Sequence, residues 1–157
     1  MNLSLLAYAL LGGLAIGLLV SIYSDIRYRL IYNWVTGPIA LAAPLYWVAT
    51  GTFGWPEIGY YLAAGLATFL FFALFFQFGM MGGGDVKLFA AVALWFPPLV
   101  VVKFVFNASL LGALVTIIFF AIHKIRKAVG PVRIPYGVAI SLAGLWCSGE
   151  QFFNHFR

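Results

Sequence analysis

Long apolar runs fill this chain, and short polar stretches punctuate them. The first run covers 3–23 and carries Gly12, Gly13 and Gly17, small residues that let helices pack closely. The polar stretch SDIRYRLIYN follows at 24–33. A second run covers 34–50, where Pro38 and Pro44 predict a kink. After the turn GTFGWPE, a phenylalanine-rich run covers 58–78. The string MMGGGDVKLF then places three glycines and an aspartate before a short helix over 86–96, which must end at Pro97 and Pro98. A fifth run covers 99–122, the basic loop HKIRKAVGPVRI follows, and the last run covers 135–152. The elements are all helices, and no 20–50-residue repeat of the solenoid kind is present.

Composition turns these runs into membrane spans. Charged residues are 8% of the chain, against about 25% in a typical soluble domain, and mean hydropathy is +1.05. The length allows about six spans of roughly 20 residues. The expectation is an all-α polytopic membrane protein, residues 1–157 forming one integral-membrane domain. The N-terminal run lacks a basic flank and a small-residue cleavage site, so it reads as a retained span. The net charge of +5 fits membrane orientation better than nucleic acid. Arg27, Arg29, Lys87, Lys124, Arg126, Lys127 and Arg133, seven of the nine basic residues, fall at alternate ends of the runs. Those ends are expected in the cytoplasm, which puts both termini outside it. Lys103, Glu57, Glu150 and Arg157 fall at the other ends, and Asp25 and Asp85 share the cytoplasmic depth.

An ionisable residue at a membrane boundary is a functional candidate, because burying it is expensive. Two carboxylates close together cannot both ionise cheaply, so one keeps a proton near neutral pH. The ionised one can take a proton from water while the protonated one polarises a carbonyl, which is aspartic-protease chemistry. Bland readings stand beside this. Asp85 at a helix start can be an N-cap, Asp25 can pair with Arg27 or Arg29 at the headgroups, and the glycines can be a tight turn.

Other chemistries have less support. No H-E-x-x-H is present, and the single cysteine, Cys147, supplies neither a disulfide framework nor a cysteine zinc site. No metal or cofactor is expected. Cys147 lies about 18 Å across the membrane from the loop that holds His123, at 1.5 Å per residue. Ser109 and Ser141 have no evident base and are expected to bond backbone carbonyls. Gln77 and Asn107 read as interhelical contacts.

Three collinear motifs carry a resemblance. GGGD, residues Gly82, Gly83, Gly84 and Asp85, fits the G-x-G-D pattern of membrane aspartic proteases. DIRYRLIYN supplies Asp25, Arg27, Ile31 and Asn33. RIPYGVAI, residues 133–140, is similar to the start of the last helix in short members serving Flp-type (Tad) pili. Together they resemble the type IV prepilin peptidase family. The chain departs from it at Tyr32, where many members have proline, and it begins in a span, without the cysteine-bearing segment of longer, methylating members.

The resemblance implies a membrane aspartic endopeptidase of the cell (inner) membrane with Asp25 and Asp85 as its catalytic pair. Its substrate would be a pilin precursor, a basic leader followed by a hydrophobic helix, cut at their junction on the cytoplasmic face. Gly82, Gly83 and Gly84 would let the substrate backbone approach without a Cβ in the way, pairing with it as an edge strand does. Asn33, Lys87 and Tyr136 are carried as lining residues; the plainer alternatives are that Lys87 and Arg27 anchor helix ends and that Asn33 and Tyr136 cap and pack. Helix dipoles suggest Asp85 as base, at the positive end of its own helix, and Asp25 as acid, at the negative end of the first. The competing classes are a non-enzymatic ion or proton pathway, a secretion-assembly factor, and a G-x-G-D peptidase for another precursor such as an archaeal flagellin.

Overall fold

The computed structural model describes residues 3–125 and 134–154 and contains six α-helices and no strand among them. They are α1 (Leu3–Tyr28), α2 (Asn33–Ala49), α3 (Glu57–Gln77), α4 (Gly83–Ala93), α5 (Pro98–Ile125) and α6 (Tyr136–Asn154). By length and composition, α1, α3 and α5 can cross a membrane. At 1.5 Å per residue, the 11-residue α4 extends only about 16 Å, half of a roughly 30 Å hydrocarbon core. Large apolar side chains cover the outside, with Leu41 77% and Leu99 86% exposed, as suits a protein whose solvent is lipid.

Helix limits follow local chemistry. The first helix runs five residues beyond the predicted end at 23, because nothing in S-D-I-R-Y breaks it. It stops at Arg29, which has φ 55° and donates its N–H to the Asp25 carbonyl at 3.0 Å. That is the left-handed C-terminal motif usually built on glycine. Helix α2 continues through Pro38 and Pro44. Helix α3 closes in a Schellman motif: the Gly79 N–H donates to Phe76 and the Met80 N–H to Phe75, with Gly79 at φ 69°. Helix α4 begins at Gly83, three residues earlier than predicted, because Gly82 is extended and caps it.

The short α4 is the hub. It packs on α2, α3, α5 and α6, and Leu88, Val92 and Ala93 are fully buried. Its far end is locked by two indoles. Trp47 Nε1 donates to the Leu94 carbonyl and Trp95 Nε1 to the Ile39 carbonyl, each at 2.9 Å, satisfying polar groups that lipid could not. Gly144 of α6 lies where a Cβ would stand 3.1 Å from Leu18 and 3.2 Å from Val92, so α1, α4 and α6 meet tightly at mid-depth.

Consecutive helices alternate in direction. One end of the bundle joins the C-terminus of α1 to the N-termini of α4 and α6 through Ile31. The other joins the start of α5 to the end of α6 through the Lys103–Glu150 ion pair at 2.6 Å. Asp25 and Asp85 therefore share one end, as expected. Arg126, Lys127, Arg133 and Arg157 lie outside the described residues.

Candidate active site

Asp25 and Asp85 line one cavity of about 510 Å³, although 60 positions of chain separate them. Each carboxylate lies within electrostatic reach of the other. The cavity wall also takes in Gly82, Gly83, Gly84 and Tyr136, together with Arg29, Ile31, Met80 and Met81.

Asp25 is only 5% exposed. It lies one turn from the end of α1, and its Oδ2 accepts the Val138 N–H at 3.2 Å. That N–H belongs to the first turn of α6, where a helix lacks its usual i−4 partners, and it is shared with the Pro135 carbonyl at 3.3 Å. Approach this close is possible because residue 137 is glycine. A Cβ there would lie 2.9 Å from Asp25 Oδ2 and 2.5 Å from Ile31 Cδ1. Headgroup pairing with Arg27 or Arg29 is not what holds Asp25: among the described residues the ion pair found is Lys103–Glu150, at the other end.

Asp85 is half-buried and occupies the third position of α4. Its Oδ2 accepts the Gly82 N–H at 3.3 Å, reaching back across the first turn. The capping reading is thus realised in part, from inside the helix rather than from the N-cap position. Both carboxylates consequently lie at helix N-termini, Asp85 at that of α4 and Asp25 against that of α6. For Asp25 the dipole argument considered α1 alone, and the start of α6 beside it removes the distinction from Asp85.

The three glycines have different surroundings. None of Gly82, Gly83 and Gly84 has positive φ; the left-handed glycine of this region is Gly79. At Gly84 a Cβ would meet Ile31 Cβ and the Ile31 carbonyl oxygen, both at 3.0 Å. The absent side chain there makes room for the α1–α2 connection. At Gly83 a Cβ would stand 3.3 Å from the Phe76 ring. All three still border the cavity.

Asn33 and Lys87 are brought together but not into the cavity. Lys87 Nζ donates to Asn33 Oδ1 at 3.0 Å on the outer side of α2 and α4, and Lys87 borders a separate groove with Thr36 and Phe69. The side chain at 87 points away from that at 85 because two residues turn a helix about 200°. Cys147 is fully buried in the core, and Ser109 Oγ donates to the Val105 carbonyl at 2.8 Å.

Gly137, Val138 and the inward side of Arg29 were missed by the sequence reading. The only signal was the position of Gly137 in IPYGV, at the start of a helix where glycine is a poor helix former. Charge alone could not show which arginine faces inward.

No curated protein and no solved structure gives a significant match. The family model described as the type IV leader peptidase family matches residues 12–117, which include both aspartates and the glycine run and end before α6. With that match across well over half its length, on the same helices that bring two carboxylates to one cavity in a membrane-embedded bundle, the chain belongs to the type IV leader peptidase family.

Proposed function

We propose that this membrane peptidase is an aspartic endopeptidase. It removes the basic leader of pilin precursors, of the Flp/Tad type, at the cytoplasmic face of the cell membrane. The observation that carries the reading is the convergence of Asp25 and Asp85 on one cavity bordered by the glycine run.

The pair holds one proton between its two carboxyl groups, because two charges lining one cavity at the end of a lipid-embedded bundle repel. The ionised carboxylate takes a proton from a water molecule, whose oxygen bonds to the scissile carbonyl carbon. The protonated one gives its proton to the carbonyl oxygen, forming a neutral tetrahedral diol. As the C–N bond breaks, the first group passes its proton to the departing nitrogen and a diol hydroxyl returns a proton to the second. The free acid, the free amine and the starting protonation state result. The Val138 and Gly82 N–H groups keep the two carboxylates oriented through the cycle.

The surroundings support this substrate and this side. Arg27, Arg29, Lys87 and Lys124 lie at the dyad end, while Lys103 at the other is neutralised by Glu150; this supports a cytoplasmic dyad. Leu30, Ile31, Met80 and Met81 give the cavity an apolar wall, suited to the first residues of a hydrophobic helix. The clasp between Lys87 and Asn33 fixes α4 against α2 from outside, so both act on the site by holding Asp85 in place.

The test is conversion of a pilin precursor by membranes carrying the wild type, Asp25→Asn or Asp85→Asn. Asparagine keeps the shape but cannot exchange a proton near neutral pH. Each single variant is expected to be inactive at wild-type protein levels. Cleavage at the wild-type rate by either would refute the dyad.

A further inference from the structure

We infer that Arg29 is a substrate-binding residue: its guanidinium donates to the carbonyl oxygen of the scissile peptide, stabilising the partial negative charge that builds there before the protonated carboxyl has delivered its proton. This rests on the aspartic-peptidase reading above and adds a residue to it.

Four observations converge on Arg29. It lines the cavity shared by Asp25 and Asp85. Its Nη1 is buried and has no hydrogen-bond partner among the described residues, although buried donors are paired in the great majority of cases. Its guanidinium carbon lies 4.7 Å from the centre of the Phe119 ring on α5, a cation–π contact that fixes the plane of the group. Its backbone is at φ 55° in the capping position that closes α1, where glycine is the usual residue. A chain that accepts a long cationic side chain in a left-handed position gains nothing locally; such strain persists where the surroundings impose it and gathers at functional sites.

The chemistry of the free donor names its ligand. Among the described residues no carboxylate forms an ion pair with Arg29, yet it is near enough to act on Asp25 electrostatically. A fixed cation one step from the dyad suits an oxygen that accepts hydrogen bonds and carries partial negative charge until the dyad protonates it. The peptide carbonyl is such an oxygen, and it is present in every peptide substrate whatever its side chains. The basic side chains of the leader would be repelled from this point, so the leader leaves the cavity by another side.

Arg29→Gly separates the two roles of the residue. Glycine suits φ 55° better than arginine, so α1 should close at least as well, while the guanidinium is lost. Precursor cleavage should fall at least thirtyfold, mainly in kcat. Ethylguanidinium added to Arg29→Gly should restore at least fivefold of it, and should do nothing for Asp25→Asn. Arg29→Lys should fall between the two. If Arg29 only terminates the helix, Arg29→Gly will cleave within threefold of wild type, and the inference fails while the dyad stands. A large loss without rescue, accompanied by a lower melting temperature, also overturns it. A wild-type chain that cleaves no pilin precursor takes down the substrate reading and this inference together.

Discussion

Replacing Gly137 by alanine should damage catalysis out of proportion to its effect on stability. The added Cβ would stand 2.9 Å from Asp25 Oδ2 and 3.1 Å from its Cγ, where ordinary contact begins at 3.4 Å. The carboxylate must therefore retreat by 3.4 − 2.9 = 0.5 Å while Ile31 Cδ1, 2.5 Å from the same Cβ, turns aside, or α6 must move by more than that. Either movement weakens the 3.2 Å bond from the Val138 N–H. A misplacement of about 1 Å lowers rate roughly 100-fold, so half that distance gives about tenfold, and more where the orienting bond is also lost. Overpacking costs about 1–3 kcal/mol, partly offset by the roughly 1 kcal/mol that alanine gains over glycine within a helix. The expected outcome is a ten- to hundredfold fall in kcat with melting temperature only slightly lowered. Gly149→Ala is the control, because it lies in the same helix and its Cβ would meet nothing within 4 Å. The assay is precursor cleavage followed by gel shift, with protein levels matched by blot. Gly137→Ala cleaving within twofold of wild type would refute the claim that α6 holds Asp25 in position.

The double variant Asp25→Asn/Asp85→Asn should be no slower than either single variant, since groups acting as a unit are non-additive; progressive loss in a rate assay would separate their roles. Gly84→Val should reduce folded yield as well as cleavage, because its Cβ meets the Ile31 carbonyl at 3.0 Å; normal yield on size exclusion with no cleavage would shift the role back to substrate docking. Lys87→Met should keep cleavage within about threefold, since it breaks one exposed hydrogen bond of a kind worth about 1 kcal/mol; complete loss in the gel-shift assay would place Lys87 on the substrate. In a Cys147→Ser background, cysteines at Trp55, 83% exposed, and at Lys124 should label from opposite sides of the membrane; labelling from one side would refute the alternating arrangement.

Much of the architecture was legible in the residues alone. Apolar runs of membrane length, broken by prolines, glycines and charges, located all six helices, because lipid forces a polar backbone to pair with itself and leaves the side chains to show where each segment ends. The same pattern placed Asp25 and Asp85 at one end of the bundle, and the D-x-R and G-G-G-D motifs singled them out as the candidate pair. Local sequence misjudged where α1 and α4 begin and end by three to five residues, because those limits are set by capping: a left-handed Arg29 and an extended Gly82. Only the tertiary structure decided that α6 supplies the Val138 N–H to Asp25, that Gly137 and Gly84 make room for a carboxylate and for Ile31, that Arg29 turns inward and that Lys87 turns outward. The reason is physical. Hydrophobic periodicity reports which residues avoid water, and in a bundle surrounded by lipid nearly every face does. Which faces meet is fixed by the fit of small residues against large ones across helices distant in sequence, and that fit aims each polar side chain.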